Sequence, residues 1–120
     1  MRHLIFCIVT ALGLAPAAAN AADDYPNKPI RMVVPFAAGS GTDAYARLLA
    51  NHLQSALGQG VVIENKVGAL GTVAAELVAH ASPDGYTLFF TTATTQSAAA
   101  GLRKNLRYDP VKDFTSIARL

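Results

Sequence analysis

Ile30-Arg31-Met32-Val33-Val34-Pro35-Phe36-Ala37-Ala38-Gly39-Ser40-Gly41-Thr42-Asp43 is the stretch that decides how this chain folds. An apolar, β-branched run predicts a strand over 30–34, and a helical pattern begins near Thr42. Between them lies a glycine-rich turn. Glycines at 39 and 41 allow a positive φ and close approach of another molecule, and the following helix adds the positive end of its dipole. Strand, glycine turn and helix start together make a candidate anion site.

The chain downstream repeats this unit. From Asp43 to Leu57 the apolar positions Tyr45, Leu48, Leu49, Leu53, Ala56 and Leu57 recur at helical spacing opposite Arg47, Asn51 and Gln54, and Gly58 ends the helix. Gly60-Val61-Val62-Ile63-Glu64 reads as a second strand. Thr72 is placed to cap a second helix through Ala81, with Val73, Leu77, Val78 and Ala81 on its buried face, and Ser82-Pro83-Asp84-Gly85 stops it. Tyr86 to Thr91 reads as a third strand, and a weaker helical stretch covers Gln96 to Arg103. Upstream, the prolines of Tyr25-Pro26-Asn27-Lys28-Pro29 hold an extended lead-in. Phe114 to Leu120 alternates like a further strand and stops without a turn, as in an interrupted chain.

Strands alternating with helices at these spacings predict parallel pairing through right-handed crossovers. Such sheets bind ligands beyond the carboxyl ends of their strands. Three segments leave those ends: Pro35 to Thr42, Asn65 to Gly71, and Thr92 to Thr95. All are rich in small or hydroxyl residues, so they can offer amides and hydroxyls to one crevice.

The first residues predict export. Met1-Arg2-His3 is a short basic opening, Leu4 to Leu14 an apolar run, and Ala19-Asn20-Ala21 a small-x-small cleavage site, with cleavage expected after Ala21. The apolar run carries Gly13, is followed by Pro16, and is too short for a comfortable membrane anchor. The expected destination is a bacterial periplasm. Cys7, the one cysteine, falls inside this leader with Phe6 before it where a lipoprotein signal needs a small residue, so no disulfide, thiol chemistry or lipid anchor is expected in the mature chain. Removing the leader takes away Arg2 alone among the charged residues and leaves a nearly neutral chain, which argues against a nucleic-acid or membrane-surface partner. The remaining length suits one small domain.

Several chemistries compete for the glycine turn. Gly39-Ser40-Gly41-Thr42-Asp43-Ala44 matches a dinucleotide fingerprint, with Glu64 near the position of a ribose-binding acid. Against it, Pro35 to Ala38 separate the strand from the first glycine, Asp43 puts a negative charge beside any pyrophosphate, and export removes the chain from nicotinamide pools. No lysine precedes Thr42 as a phosphate-binding loop requires, and Ala38 and Thr42 replace the glycines of a nucleophile elbow, which leaves Ser40 a turn residue. Asp43 has two readings, a helix N-terminal residue favoured by the dipole or a ligand contact. His52 and His80 lack partners at metal-ligand spacing and read as surface helix residues, and no metal or cofactor is expected. Asp109 and Asp113 have no reactive group between them, and Arg103, Lys104 and Arg107 read as a solvated face.

Ordered motifs along the chain are similar to one family. Tyr25-Pro26-x-Lys28-Pro29-Ile30, Val33-Val34-Pro35-Phe36, Gly39-x-Gly41-Thr42-Asp43, Ala56-Leu57-Gly58-Gln59, Val62-x-Glu64-Asn65, Gly68-Ala69-x-Gly71, Ser82-Pro83-Asp84-Gly85-Tyr86-Thr87-Leu88 and Tyr108-Asp109-Pro110-x-x-Asp113-Phe114 resemble the Bug-type extracytoplasmic solute receptors. These are the substrate-binding proteins of tripartite tricarboxylate transporters. The resemblance implies an α/β, periplasmic-binding-protein-like domain with a mostly parallel sheet flanked by helices, truncated before a second domain. Residues 22–120 would then be the N-terminal part of domain one.

It further implies a non-catalytic receptor that captures a small organic carboxylate, hands it to membrane permease subunits and is monomeric when full length. The alternative is a fragment of a Rossmann-like dinucleotide-binding enzyme. Carried over position by position, the resemblance nominates Phe36, Ala38, Gly39, Gly41, Thr42 and Asp43 from the first loop, Gly71 and Thr72 from the second, and Thr91, Thr92 and Ala93 from the third. The chain departs from the family at Ala37, Ala38, Ser40, Val67 and Leu70, where the family usually has Pro, Pro, Gly, Pro and Gly. Leu70 is expected to narrow the crevice or line it with hydrocarbon.

Overall fold

A computed structural model describes residues 24–102 and 105–120. The leader, its cleavage site near Ala21 and Cys7 lie outside the described residues, as do Arg103 and Lys104 of the basic cluster. Three strands, β1 (Ile30–Val34), β2 (Val61–Asn65) and β3 (Thr87–Phe89), form a parallel sheet in the order β2-β1-β3. Ile30 pairs with Val61 and Val34 with Asn65, while Met32 pairs with Leu88 on the other side. Helices α1 (Gly41–Leu57), α2 (Thr72–Ala79) and α3 (Ala93–Leu102) follow the strands in turn.

The central strand carries the core. Ile30, Met32, Val33 and Val34 are at most 1% exposed, which is what a strand paired on both sides and covered on both faces requires. Met32 and Val34 pack on Ala46 of α1, with Leu49, Leu53, Ile63, Leu88 and Phe90 around them. Val33 points to the opposite face. There α2, whose Ala74 and Ala75 are buried, packs against β1 and β3.

Several boundaries and faces differ from the sequence reading. Helix α1 starts at Gly41, because Ser40 is its N-cap and its Oγ accepts the Asp43 amide at 3.2 Å. Its end is as expected, with Gly58 in the left-handed conformation. The buried stripe of α1 runs through Asp43, Ala46 and Ala50 with Leu49 and Leu53 partly covered, whereas Tyr45 and Leu48 face outward. Small alanines let the helix approach the sheet, so the larger apolar residues on the neighbouring stripe are left outside.

Helix α2 is capped by Gly71 and not by Thr72, and it ends at Ala79. Val73 is exposed and the alanines take the buried face instead. Strand β3 is shorter than read, and α3 starts at Ala93, earlier than read, because Thr92 caps it through Thr95 N–H···Oγ1 at 3.3 Å. The alternating 114–120 segment forms no strand: Ile117 and Leu120 are exposed, and no ladder partner receives them among the described residues. Alternation favours a strand only where a sheet edge is aligned to accept it.

The ends of the described chain are tied to loops. Tyr25 donates to Gly85 O at 2.7 Å, and Asn27 and Tyr86 exchange hydrogen bonds. Phe114 stacks on Phe89 with centroids 5.7 Å apart. Asp109 accepts the Val111 and Lys112 amides while Asp113 accepts the Asp109 amide, which makes these acids parts of one turn.

Candidate functional site

The sheet order puts β1 between its two sequence successors, so the connections leaving β1 and β3 diverge and open a crevice at the strand ends. The crevice has a volume of about 320 Å³ and draws its walls from all three strand-end segments. Pro35 and Phe36 come from the first, Val67 to Gly71 from the second, and Thr94 and Thr95 from the first turn of α3.

Gly71 is where they meet. Its φ is 86°, and a Cβ there would collide with Thr95 Cγ2 and come within 3.2 Å of Pro35 Cβ. Only a residue without a side chain joins the three segments at this closeness.

The first loop is held by Asp43. Its carboxylate is buried; one oxygen accepts the Gly39 amide at 2.9 Å and Arg47 Nε at 2.8 Å, and the other accepts Asn65 Nδ2 at 2.8 Å. Asn65 also donates to Phe36 O at 2.9 Å. Arg47, then the Gly39 amide and Asn65, hold the Asp43 carboxyl down to about 2 against an ordinary 3.8, although burial opposes them. This carboxylate therefore stays ionised and fastens turn, helix and β2 together. Of its two readings, the structural one describes what it contacts here.

Gly39 has φ 83°, as a turn glycine should, and its amide is taken by Asp43. Gly41 does not use positive φ; it opens α1 with helical geometry. The amides of Gly41 and Thr42, first in the helix, have no intrahelical acceptor, and Ala38 and Gly41 are exposed. None of the residues from Ala38 to Asp43 lines the 320 Å³ crevice.

The second segment is different in kind. A single 3₁₀ turn covers Ala69–Gly71, with Ala69 at φ 47° and Leu70 at φ 60°, the left-handed region that side-chain-bearing residues avoid. The Gly71 amide donates to Gly68 O at 2.8 Å, and Thr72 donates to Ala69 O through both its amide and its hydroxyl. Of the nominated residues, Phe36 and Gly71 line the crevice. Thr92 and Ala93 directly precede the lining residue Thr94 without lining the crevice themselves, and the Thr91 hydroxyl is buried with no hydrogen-bond partner among the described residues.

Pro35, Val67, Gly68, Ala69, Leu70, Thr94 and Thr95 complete the lining but were not among the nominated positions. For Thr94 and Thr95 the signal was present in the hydroxyl-rich run after the third strand. The amides of Ala93 and Thr94 are the first two of α3 and have no intrahelical acceptor, while Thr92 Oγ1 and Thr95 Oγ1 lie 2.9 Å apart. No lining residue is charged. The arrangement offers an anion neutral donors and one face of hydrocarbon.

Glu64, at the position of a ribose-binding acid, is paired with Lys66 Nζ at 3.0 Å and with Arg31 Nε. Lys66 and Arg31 hold its carboxyl below the ordinary range against the effect of burial. His52 and His80 each donate Nδ1–H to the carbonyl four residues back, both at 2.8 Å. Among the described residues no cluster of potential metal ligands forms.

A parallel α/β sheet with its crevice at the strand ends is shared by periplasmic binding proteins and other doubly wound folds, and comparison with known proteins decides for the former. Residues 45–120 match the model of the tripartite tricarboxylate transporter family receptor. A UPF0065 protein of Bordetella bronchiseptica is 45% identical over 117 residues, covering 98% of this chain and 34% of that protein. MatC from Rhodopseudomonas palustris, solved with bound malate, superposes with a TM-score of 0.71 at 48% identity, covering 76% of this chain and 31% of MatC. A second R. palustris protein, solved with adipate, gives 0.66 at 39% identity over 72% of this chain and 29% of that one.

The chain belongs to the tripartite tricarboxylate transporter receptor family. It spans about a third of the length of the curated relatives it matches.

Proposed function

We propose that this chain is the ligand-contacting first portion of a periplasmic receptor that captures a small organic carboxylate and delivers it to the membrane permease subunits of a tripartite transporter, without catalysis and without a cofactor. Residues 1–21 act as a cleaved export signal, and residues 22–120 contribute one side of the binding site. The carrying observation is the meeting of three strand-end segments at Gly71, where neutral amide and hydroxyl donors border a crevice with no charged lining. Neutral donors and helix N-termini suit a carboxylate, whose single charge they stabilise without a buried counter-ion. The malate and adipate in the two R. palustris neighbours support the same ligand class.

Phe36 is then a contact of the ligand, and Thr92 and Ala93, which directly precede the lining residue Thr94, are its near neighbours. Gly39, Asp43, Gly71 and Thr72, whose own donors and acceptors are engaged within the loops, shape the site. The pairing of Glu64 with Lys66 and Arg31 weakens the dinucleotide alternative by occupying the acid a ribose would need.

Melting curves of the exported chain with malate, adipate, hexanoate and nicotinamide dinucleotide test the reading. Ligand binding to the folded state raises the midpoint by mass action. A rise with carboxylates alone is expected; a rise with the dinucleotide alone overturns the proposal.

A further inference from the structure

Leu70 is placed where neither backbone nor burial favours it. It sits at φ 60° and is 66% exposed, so a leucine there stores conformational strain and hydrates most of its hydrocarbon. Val67, in the same segment, is 62% exposed. Both side chains line the crevice, beside Pro35, Phe36 and Ala69. The polar side chains of the lining, Thr94 and Thr95, come from a different segment, the first turn of α3. Apolar and polar side chains of the lining thus belong to different segments of the chain.

We infer that Leu70 and Val67 are specificity-determining residues that select a carboxylate with an unsubstituted hydrocarbon body. This rests on the carboxylate reading above and narrows its ligand class. The carboxylate lies toward Thr94, Thr95 and the first amides of α3, and the hydrocarbon covers Leu70 and Val67. A hydroxyl or second carboxylate placed against that wall loses water and finds no donor there, which disfavours short polar diacids. A ligand with methylene groups in the same place removes exposed hydrocarbon from water on both sides.

The test is a titration of the exported chain, ¹⁵N-labelled and methyl-labelled, with hexanoate and with malate, followed by amide and methyl shifts. The expected result is movement of the Leu70 and Val67 methyls and the Thr94 and Thr95 amides, with hexanoate bound at least about tenfold more tightly than malate. Leu70→Asn keeps side-chain length and tolerates positive φ, and it should bring the two affinities within roughly threefold. Leu70→Gly, free of strain, should do the same, so a folding defect in one variant leaves the other to decide. Spectra unchanged away from the crevice verify the fold. Carboxylate binding with no preference for hexanoate, or a preference that survives both variants, overturns this inference and leaves the carboxylate reading intact. No shift with either acid overturns both.

Discussion

The first and second strand-end loops solve opposite problems with similar residues. In the first, Asp43 accepts the Gly39 amide and Ser40 the Asp43 amide, and Asn65 and Arg47 complete a network around a buried carboxylate. In the second, Ala69 and Leu70 hold left-handed backbone with large apolar surface turned outward, and most local bonds stay within the turn. The difference teaches that glycine-rich sequence alone does not distinguish a ligand loop from a scaffold loop. What distinguishes them is whether a buried charged group fastens the loop to the rest of the fold and whether left-handed backbone falls on residues that carry side chains.

The two loops and α3 touch at Gly71. Gly71→Ala adds a Cβ into Thr95 and Pro35 at a positive φ, and overpacking plus backbone strain should lower stability by about 2–4 kcal/mol in urea unfolding. Within the first loop, Asp43→Asn replaces an acceptor-only group facing three donors by one that brings donors of its own. Because the folded carboxyl titrates near 2 against 3.8, the stability it contributes is complete above 3.8 and disappears as pH falls toward 2. The variant should be less stable at neutral pH and should show a shallower loss on acidification than the parent.

Smaller effects are expected at Ser40 and Leu70. Ser40→Ala removes a helix cap and should cost about 1 kcal/mol by the same assay. Leu70→Gly should go the other way, raising stability by up to about 1 kcal/mol, since it relieves left-handed strain and forfeits little burial. A destabilised Leu70→Gly chain would mean that the leucine supports the fold and is not a wall held for a ligand.

Much of this architecture was legible beforehand. Strand β1 has the bounds its apolar run implies, α1 ends at Gly58, and the strand-helix alternation implies the parallel sheet and its shared edge. The site was legible as three loops but less so as contacts. Asn65 reaches Asp43 across 22 positions, and no local pattern encodes such a bond. The pairing of Asp43 with Arg47 four residues on was a readable signal that favoured the structural role. On α1 and α2, helical spacing fits two neighbouring stripes, and the alanines prevail because the sheet lies close. The left-handed backbone at Leu70 contradicts local propensity and so falls outside what propensity can predict.

Hydrogen exchange of individual amides, measured with and without saturating hexanoate, tests the division between scaffold loop and ligand loop most directly. The Gly39 amide, bonded to Asp43, should be protected in both states, whereas Leu70 and Thr94 should exchange quickly alone and slow markedly with the acid. Rapid exchange at Gly39 in the free chain, or hexanoate that slows Gly39 and leaves Leu70 and Thr94 unchanged, would contradict it.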